Sequence, residues 1–386
     1  MSTSNIIDLI DLDKKVIYID QFAISDMMKA LNPNTRAHKK GRLDTFWITL
    51  FKKLDRLCKL QLIVCPESEF HTDESLLAPF FKPLERMYKL LSVGIRFYDY
   101  QTIKRLQILE YAKNWISGKE ERDVVIDVNH VVDGEINDWQ KAFAVSVKLP
   151  YNLDWINDLR KYRERTHQGI RSVFKRWQSE QNKTFDDWFE EEVIGIGQAI
   201  LKIYEMHQKR LSATATGYLD LTVNDTIAPP EVVLVYSIQD VFIKAGIQKS
   251  DIWQKTEEFL ASPLLKKIPY IKIFSMLCAA LARQAAAGRK KVPGHGIVND
   301  IRLISALLPY CNAVFIDKEC RALLREKPLS DEINYGTQIF SLVNKQEFLN
   351  YLDEIEKSTP QEHFDKVDAI YGKDWRKPYT MLFGKS

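Results

Sequence analysis

Four acidic residues stand at positions where carboxylates often carry out chemistry. Asp20 and Asp317 each follow directly on a short apolar run, whereas Glu74 and Asp300 lie early on helices that follow predicted strands. Like charges gathered in one pocket repel one another and raise one another's pKa, so such a cluster needs cations. Mg²⁺ and Mn²⁺ are hard ions that prefer oxygen ligands, and they can activate water and stabilise the leaving oxygen of a phosphodiester. The alternative is that these acids are ordinary helix caps and turn residues.

The elements around these acids predict a parallel sheet. Residues 16–19, 61–65 and 313–316 are short apolar runs of the kind that form buried strands, and residues 339–342 are a candidate last strand. Amphipathic helical segments separate these runs, which is typical of an α/β fold. In such sheets the carboxyl ends of the strands form the edge at which ligands bind. We therefore expect the four acids to converge on that edge.

The middle of the chain has a different pattern. From residue 93 to residue 282 helical periodicity dominates, and residues 124–132 are a candidate isolated strand or hairpin. We predict one α/β domain formed by residues 1–92 and 283–345, interrupted by a large, mainly helical insertion at residues 93–282. Residues 346–386 are predicted to form a helical, charged C-terminal tail.

Composition narrows the class of protein. Lys+Arg 55 against Asp+Glu 52 gives a net charge of +3, so any basic surface for a nucleic acid must be local. The five cysteines are scattered and include no CxxC pair, which favours reduced core thiols over a disulfide framework or a zinc site.

The N-terminus has no signal pattern and no apolar run approaches the length of a membrane span, so we expect a cytoplasmic protein without a membrane partner. No GxxxxGK[ST], GxSxG or HExxH motif is present.

Basic residues next to the acids are candidates for holding a nucleic-acid substrate. One group runs into a P-G-H-G loop just before Asp300, and the other follows the helix that begins after Asp20. Cationic side chains of this kind neutralise phosphates without reading sequence. The predicted substrate-binding residues are Arg289, Lys290, Lys291, His295, Lys39 and Lys40.

A third basic stretch lies in the predicted insertion, between residues 160 and 176, where lysines and arginines alternate with aromatic residues. Cations and aromatic rings together can hold a single nucleic-acid strand. A solvated helix face whose aromatic side chains lie in the core explains the same pattern more simply. The basic residues are Arg160, Lys161, Arg163, Arg165, Arg171, Lys175 and Arg176.

The acidic motifs resemble those of the PIN-like nuclease family. VIYID at residues 16–20 ends in the first acid, and Ser68, His71 and Glu74 form the pattern S-x-x-H-x-x-E. The segment N-D-x-x-L-I-S-A begins at residue 299 and is followed by F-I-D, which ends in the last acid. Within the second motif we expect His71 to orient the helix that carries Glu74 rather than to bind metal.

This resemblance covers roughly residues 14–92 and 290–343. It implies a Rossmann-like, PIN-type parallel sheet flanked by helices and interrupted by the large helical insertion. It also implies a shared acidic site that binds Mg²⁺ or Mn²⁺ and hydrolyses RNA. Carried over by position, the catalytic and metal-binding residues would be Asp20, Glu74, Asp300 and Asp317.

The chain also departs from the family pattern. Phe315 stands where many PIN domains have Thr or Ser. In PIN domains a further acid often follows the last of the four closely, and Glu319 could supply it here. Glu67 and Glu69 compete with Glu74 for the role of the second acid.

From these features we expect a metal-dependent endoribonuclease of the toxin, defence or RNA-processing type, acting on single-stranded RNA. One alternative is a non-catalytic PIN-like module that binds nucleic acid or protein, and another is a DNA or structure-specific nuclease. Stabilisation of the fold by Mn²⁺ would separate a live metal site from a vestigial one. The resemblance also implies pairing as a homodimer, and a regulatory protein is an alternative partner.

Overall fold

The structure is a computed structural model that describes most of the chain. The described residues are 11–35, 39–41, 44–76, 80–119, 124–140, 153–216, 228–294, 296–377 and 382–383. This part of the chain is mostly helical and contains a four-stranded parallel sheet with helices packed on both of its faces. The predicted mixed α/β architecture with a parallel sheet is therefore confirmed.

The parallel sheet takes strands from both ends of the chain. The strands are β1 Lys15–Ile19, β2 Ile63–Val64, β3 Arg96–Phe97, β4 Val132–Asp133, β5 Ala313–Phe315 and β6 Gln338–Phe340. The sheet order is β2-β1-β5-β6 with every pair parallel, while β3 and β4 form a separate antiparallel pair. Lys15 lies opposite Ile63 on one side of β1, and Ile17 lies opposite Ala313 on the other. The early and late segments of the chain thus meet at β1.

Helices account for most of the remaining described residues. They are α1 Gln21–Leu31, α2 Thr45–Lys59, α3 Glu69–Leu76, α4 Phe81–Ser92, α5 Tyr100–Ile116, α6 Leu153–Ser179, α7 Phe185–Ala215, α8 Pro230–Lys244, α9 Ile252–Leu260, α10 Pro269–Ala286, α11 Ile297–Leu307, α12 Lys318–Arg325, α13 Leu329–Glu332, α14 Lys345–Lys357 and α15 Gln361–Tyr371. None of these helices combines the length and the apolar character needed to cross a membrane.

Three predicted strands differ from the observed ones. The run at 61–65 contributes only two residues to the sheet, because Gln61 has a positive φ of 60° that a strand cannot contain. The candidate strand at 339–342 begins one residue earlier and ends at Phe340, where a short 3₁₀ turn follows. Within the predicted segment 124–132, only Val132 belongs to a strand. It is the first residue of β4, which pairs with β3.

Alternate residues of β1 enter two different hydrophobic cores, as the period of two along a strand requires. Ile17 and Ile19 pack with α1, α2, α4 and α14 on one face of the sheet. Val16 and Tyr18 pack on the other face, in a cluster that also contains Phe174 of α6 and side chains of α10 and α11. The predicted insertion at 93–282 therefore shares a continuous core with the sheet.

The predicted C-terminal tail is helical, and its helices are part of the core that contains Ile17 and Ile19. Phe348 of α14 is fully buried, with its ring centroid 5.0 Å from that of Phe315 and 4.9 Å from that of Phe340. Glu356 of α14 forms a 2.6 Å ion pair with Arg56 of α2. Helix α14 thus contributes apolar side chains such as Phe348 to the core and a charged side chain to its contact with α2.

Candidate metal centre

The carboxyl ends of β1 and β5 lie side by side where the order of the sheet changes direction. From β1 the chain proceeds to β2 on one side, and it returns through β5 on the other. The backbone N–H of Asp20 donates a 3.0 Å hydrogen bond to the carbonyl oxygen of Phe315, and Asp317 follows two residues later. Ligands of open α/β sheets bind at such a switch point. The two acids that follow these strands therefore stand at the expected edge.

Asp317 is fixed by helix α12 through only one of its two oxygens. Its Oδ1 accepts hydrogen bonds from the backbone N–H groups of Glu319 at 2.6 Å and Cys320 at 3.1 Å, which is the contact of a helix N-cap. Its Oδ2 is buried and has no hydrogen-bond partner within the described part of the chain. Leaving a buried acceptor without a partner costs about 1–3 kcal/mol. This oxygen is therefore well suited to bind a cation.

Asp300 reaches the same place from the first turn of α11. That helix begins at Ile297, directly after Gly296. A Cβ atom at Gly296 would lie 3.3 Å from Oδ2 of Asp300, and the glycine therefore leaves room for this carboxylate. A carboxylate oxygen of Asp300, one of Asp317 and the Sγ of Cys320 all lie within 4.8 Å of one another.

Asp20 and Glu74 lie near enough for their charges to act on this site, although the ligand atoms within 4.8 Å of one another belong to Asp300, Asp317 and Cys320. Burial, together with the charges of Glu74 and Asp317, raises the pKa of Asp20 to about 7. Burial also raises the pKa of Asp300 well above its usual value, and the neighbouring carboxylates add to that increase. Carboxylates act on one another in this way when they share a poorly solvated site. We call Asp20, Glu74, Asp300 and Asp317 the carboxylate pocket.

His71 holds the helix that carries Glu74. The backbone N–H of His71 donates to Oγ of Ser68 at 3.4 Å, and the ring Nδ1 accepts from the backbone N–H of Ser68 at 3.2 Å. This reciprocal pair closes the N-terminus of α3 as a capping box does. The imidazole also stacks between the rings of Tyr18 and Tyr88, at centroid distances of 5.0 Å and 4.6 Å. As the sequence predicts, His71 orients α3 through these contacts.

The two competing acids have other partners. Oε1 of Glu69 accepts a 2.8 Å hydrogen bond from the N–H of Tyr100, at the start of α5. Oε1 of Glu67 accepts a 3.4 Å hydrogen bond from the hydroxyl of Ser92. Glu74 is the member of this trio whose charge raises the pKa of both Asp20 and Asp300. The structure therefore groups Glu74, rather than Glu67 or Glu69, with the three aspartates.

The predicted substrate-binding residues fall into three classes. Arg289 is engaged within the protein: its Nη1 donates to Oε1 of Gln284 at 2.6 Å, and its guanidinium forms an ion pair with Glu319. These contacts hold the loop before α11. The lysines of the set are exposed to solvent, and they are Lys39, Lys40, Lys290 and Lys291. His295 lies outside the described residues.

Two residues at the pocket were not predicted from the sequence. Cys320 follows Asp317 by three residues and is completely buried, but a thiol on the apolar side of a short helix is more often a core residue. Arg163 lies on α6, and its Nη2 is 3.6 Å from Oε1 of Glu74. Of these two residues, only Cys320 could have been recognised from the sequence, through its spacing from Asp317. The position of Arg163 depends on how α6 packs on the sheet.

The donor set fits a divalent cation. Mg²⁺ and Mn²⁺ take carboxylate oxygens, and the pocket offers four carboxyl groups, one of which contains the buried Oδ2 of Asp317. The charge of the ion would offset the repulsion that raises the pKa values of Asp20 and Asp300. The thiol of Cys320 adds a donor that softer ions such as Zn²⁺ or Cd²⁺ prefer.

No protein-family model matches this chain, and neither a curated protein nor a solved structure matches it. The parallel sheet and the carboxylate pocket are observed in this chain itself. A PIN-type fold and nuclease activity stay predictions that rest on the sequence motifs and on the chemistry of the pocket.

Proposed function

We propose that the chain is a divalent-metal-dependent endoribonuclease that hydrolyses phosphodiester bonds of single-stranded RNA at the carboxylate pocket. The observation that carries this proposal is the buried Oδ2 of Asp317, which has no hydrogen-bond partner among the described residues. It belongs to a carboxylate that has an oxygen within 4.8 Å of donor atoms of Asp300 and Cys320. A site built only for stability would satisfy this oxygen with a donor. A cation of the Mg²⁺ or Mn²⁺ type satisfies it and also neutralises the other carboxylates.

The acids and the lysines would have different roles in the reaction. Asp20, Glu74, Asp300 and Asp317 would hold the cation, which supplies positive charge to the scissile phosphate and lowers the pKa of water. The exposed lysines flanking the pocket in sequence would neutralise neighbouring phosphates of the strand. These lysines are Lys39, Lys40, Lys290 and Lys291. The choice of RNA over DNA follows from the resemblance to PIN-like nucleases.

Cleavage of labelled single-stranded RNA and single-stranded DNA by the purified chain tests the proposal, with Mn²⁺, Mg²⁺ or EDTA present. We expect cleavage of RNA that requires the metal and disappears in Asp317→Asn. That variant keeps an oxygen that can cap α12, so its fold should survive. The matched control is Asp44→Asn, because Asp44 caps α2 through the same type of contact but is not one of the four acids.

Three outcomes would count against the proposal. Equal cleavage by Asp317→Asn and wild-type protein would remove the pocket from the reaction. Absence of both cleavage and Mn²⁺-induced stabilisation in the wild type would reject a live metal site altogether. Stabilisation by Mn²⁺ and binding of RNA without cleavage would instead identify a binding module.

A further inference from the structure

Helix α6 brings one cationic side chain to the carboxylate pocket. Nη2 of Arg163 lies 3.6 Å from Oε1 of Glu74, and both side chains are about three-quarters buried, with exposures of 28% and 25%. This nitrogen is buried and forms no hydrogen bond within the described part of the chain. The distance is too long for an N–H···O hydrogen bond, so the contact is an ion pair that leaves a donor unused.

The other basic side chains of α6 point away from the protein. The exposed lysines and arginines of this helix are Arg160, Lys161, Arg165, Arg171, Lys175 and Arg176. Phe174 and Trp177, which alternate with them, are buried in the core. This stretch therefore has the arrangement of a solvated helix face, and Arg163 is the exception within it.

The charge of Arg163 acts on the acids of α3. Burial raises the pKa values of Glu74 and Asp73, and the guanidinium opposes that increase at both residues. A guanidinium stays charged at any ordinary pH, and its planar set of N–H groups matches the oxygens of a phosphate. A buried cation with an unused donor, beside the acids expected to hold the metal, is thus placed to meet an anion that enters the pocket.

We infer that Arg163 binds the scissile phosphate of the substrate, and that it serves as the counter-ion of Glu74 until a divalent cation takes that role. This inference rests on the proposed function. With a cation held by Glu74, the guanidinium of Arg163 would be released from its ion pair and would donate to a non-bridging oxygen of the bound phosphodiester. The helical segment between residues 93 and 282 would in this way complete the site through a side chain.

The inference predicts effects of opposite sign when Arg163 is replaced. Without the guanidinium, Glu74 loses a competing cation, so the pocket should bind Mn²⁺ more tightly. The phosphate loses a charge-assisted donor, so RNA should bind more weakly and cleavage should slow. A residue with a purely structural role would weaken both properties together.

Arg163→Met tests this, because methionine keeps an unbranched apolar stem and removes the charge. The matched control is Arg165→Met, which removes an exposed arginine of the same helix. Titration calorimetry with Mn²⁺ should show affinity raised about threefold in Arg163→Met, the effect of losing a partly exposed ion pair. Cleavage of labelled single-stranded RNA in saturating Mn²⁺ should fall about 100-fold, as when one donor to a developing anion is removed. Arg165→Met should match the wild type in both measurements.

Arg163→Lys separates charge from hydrogen-bond geometry, because it should keep the Mn²⁺ affinity of the wild type and still cleave slowly. Weaker Mn²⁺ binding by Arg163→Met, or cleavage equal to that of Arg165→Met, would overturn the inference while leaving an active wild type and its proposed function intact. A wild type that neither binds Mn²⁺ nor cleaves RNA would overturn the proposed function and this inference with it.

Discussion

Nε2 of His71 lies 2.8 Å from the carbonyl oxygen of Ile19, the residue directly before Asp20. Because Nδ1 of the same ring accepts from the N–H of Ser68, Nε2 carries the proton and donates to that carbonyl. One imidazole therefore ties the end of β1 to the start of α3. The spacing of Asp20 and Glu74 across the pocket depends on this connection.

His71→Phe tests the connection, because phenylalanine keeps a flat ring between Tyr18 and Tyr88 and removes both hydrogen bonds. We expect a loss of about 1–3 kcal/mol in the free energy of unfolding, since buried backbone groups lose a partner. We also expect weaker Mn²⁺ binding. His363→Phe is the control, because Nε2 of His363 contacts the carbonyl oxygen of Leu60 at 2.6 Å, a residue outside the pocket. Equal Mn²⁺ affinity in the two variants would contradict a role for His71 in the pocket.

The pKa of Asp20 predicts how stability depends on pH in the protein without divalent cations. The carboxyl group has a pKa of about 7 in the folded chain, against an ordinary value of 3.8. Between about pH 4 and pH 7 the unfolded chain has lost this proton and the folded chain has kept it, so stability falls as pH rises. Asp20→Asn should lack this contribution. Urea unfolding in EDTA at several pH values should show the wild type losing stability relative to Asp20→Asn as pH approaches 7.

His71 acts in the opposite direction over part of the same range. Burial lowers its pKa to about 4, so it adds stability as pH rises from about 4 to its ordinary value of 6.5. Both proteins in the comparison contain His71, and its contribution cancels in their difference. A stability difference between wild type and Asp20→Asn that does not change with pH would show that Asp20 is not a buried, repelled carboxyl group.

The thiol of Cys320 predicts which ions the pocket accepts. Its Sγ lies within 4.8 Å of carboxylate oxygens of Asp300 and Asp317, and Cd²⁺ prefers sulfur far more than Mg²⁺ does. We expect Cd²⁺ to give the ultraviolet charge-transfer absorbance of a thiolate ligand in the wild type. Cys320→Ala should abolish this signal and leave Mg²⁺ affinity nearly unchanged. Cys311→Ala, which removes another buried thiol, should retain the signal. If the absorbance persists in Cys320→Ala, Cys320 is not a ligand of Cd²⁺.

The packing of Phe348 predicts that the C-terminal helices are needed for stability. Truncation of this fully buried ring by Phe348→Ala should reduce the free energy of unfolding by about 3–5 kcal/mol, because a cavity remains beside Phe315 and Phe340. Val343→Ala changes a side chain that is 66% exposed and should have an effect within about 0.5 kcal/mol. Urea unfolding midpoints measure both. A small effect of Phe348→Ala would mean that the segment after β6 does not support the sheet.

The sequence predicted the central strands and the acids because their signals are local. The run at 16–19 is apolar without interruption, and the acid that follows it must lie at a carboxyl edge if the sheet is parallel. The left-handed residue Gln61 could not be foreseen, because glutamine carries no particular preference for a positive φ. Arg163 was grouped with its exposed neighbours, since the burial of one arginine depends on how α6 packs rather than on its own spacing.

Pairing of β1 with β5 has a consequence for synthesis of the chain. The N–H of Val16 donates to Oδ1 of Asn312 at 2.7 Å, across a separation of 296 residues. Asp20 leaves the ribosome early, whereas Asp300 and Asp317 leave it late. At about 5–20 residues per second, this delay lasts roughly 15–60 s. During translation the nascent chain therefore holds only half of its four acids, and the carboxylate pocket assembles only after most of the protein has been made.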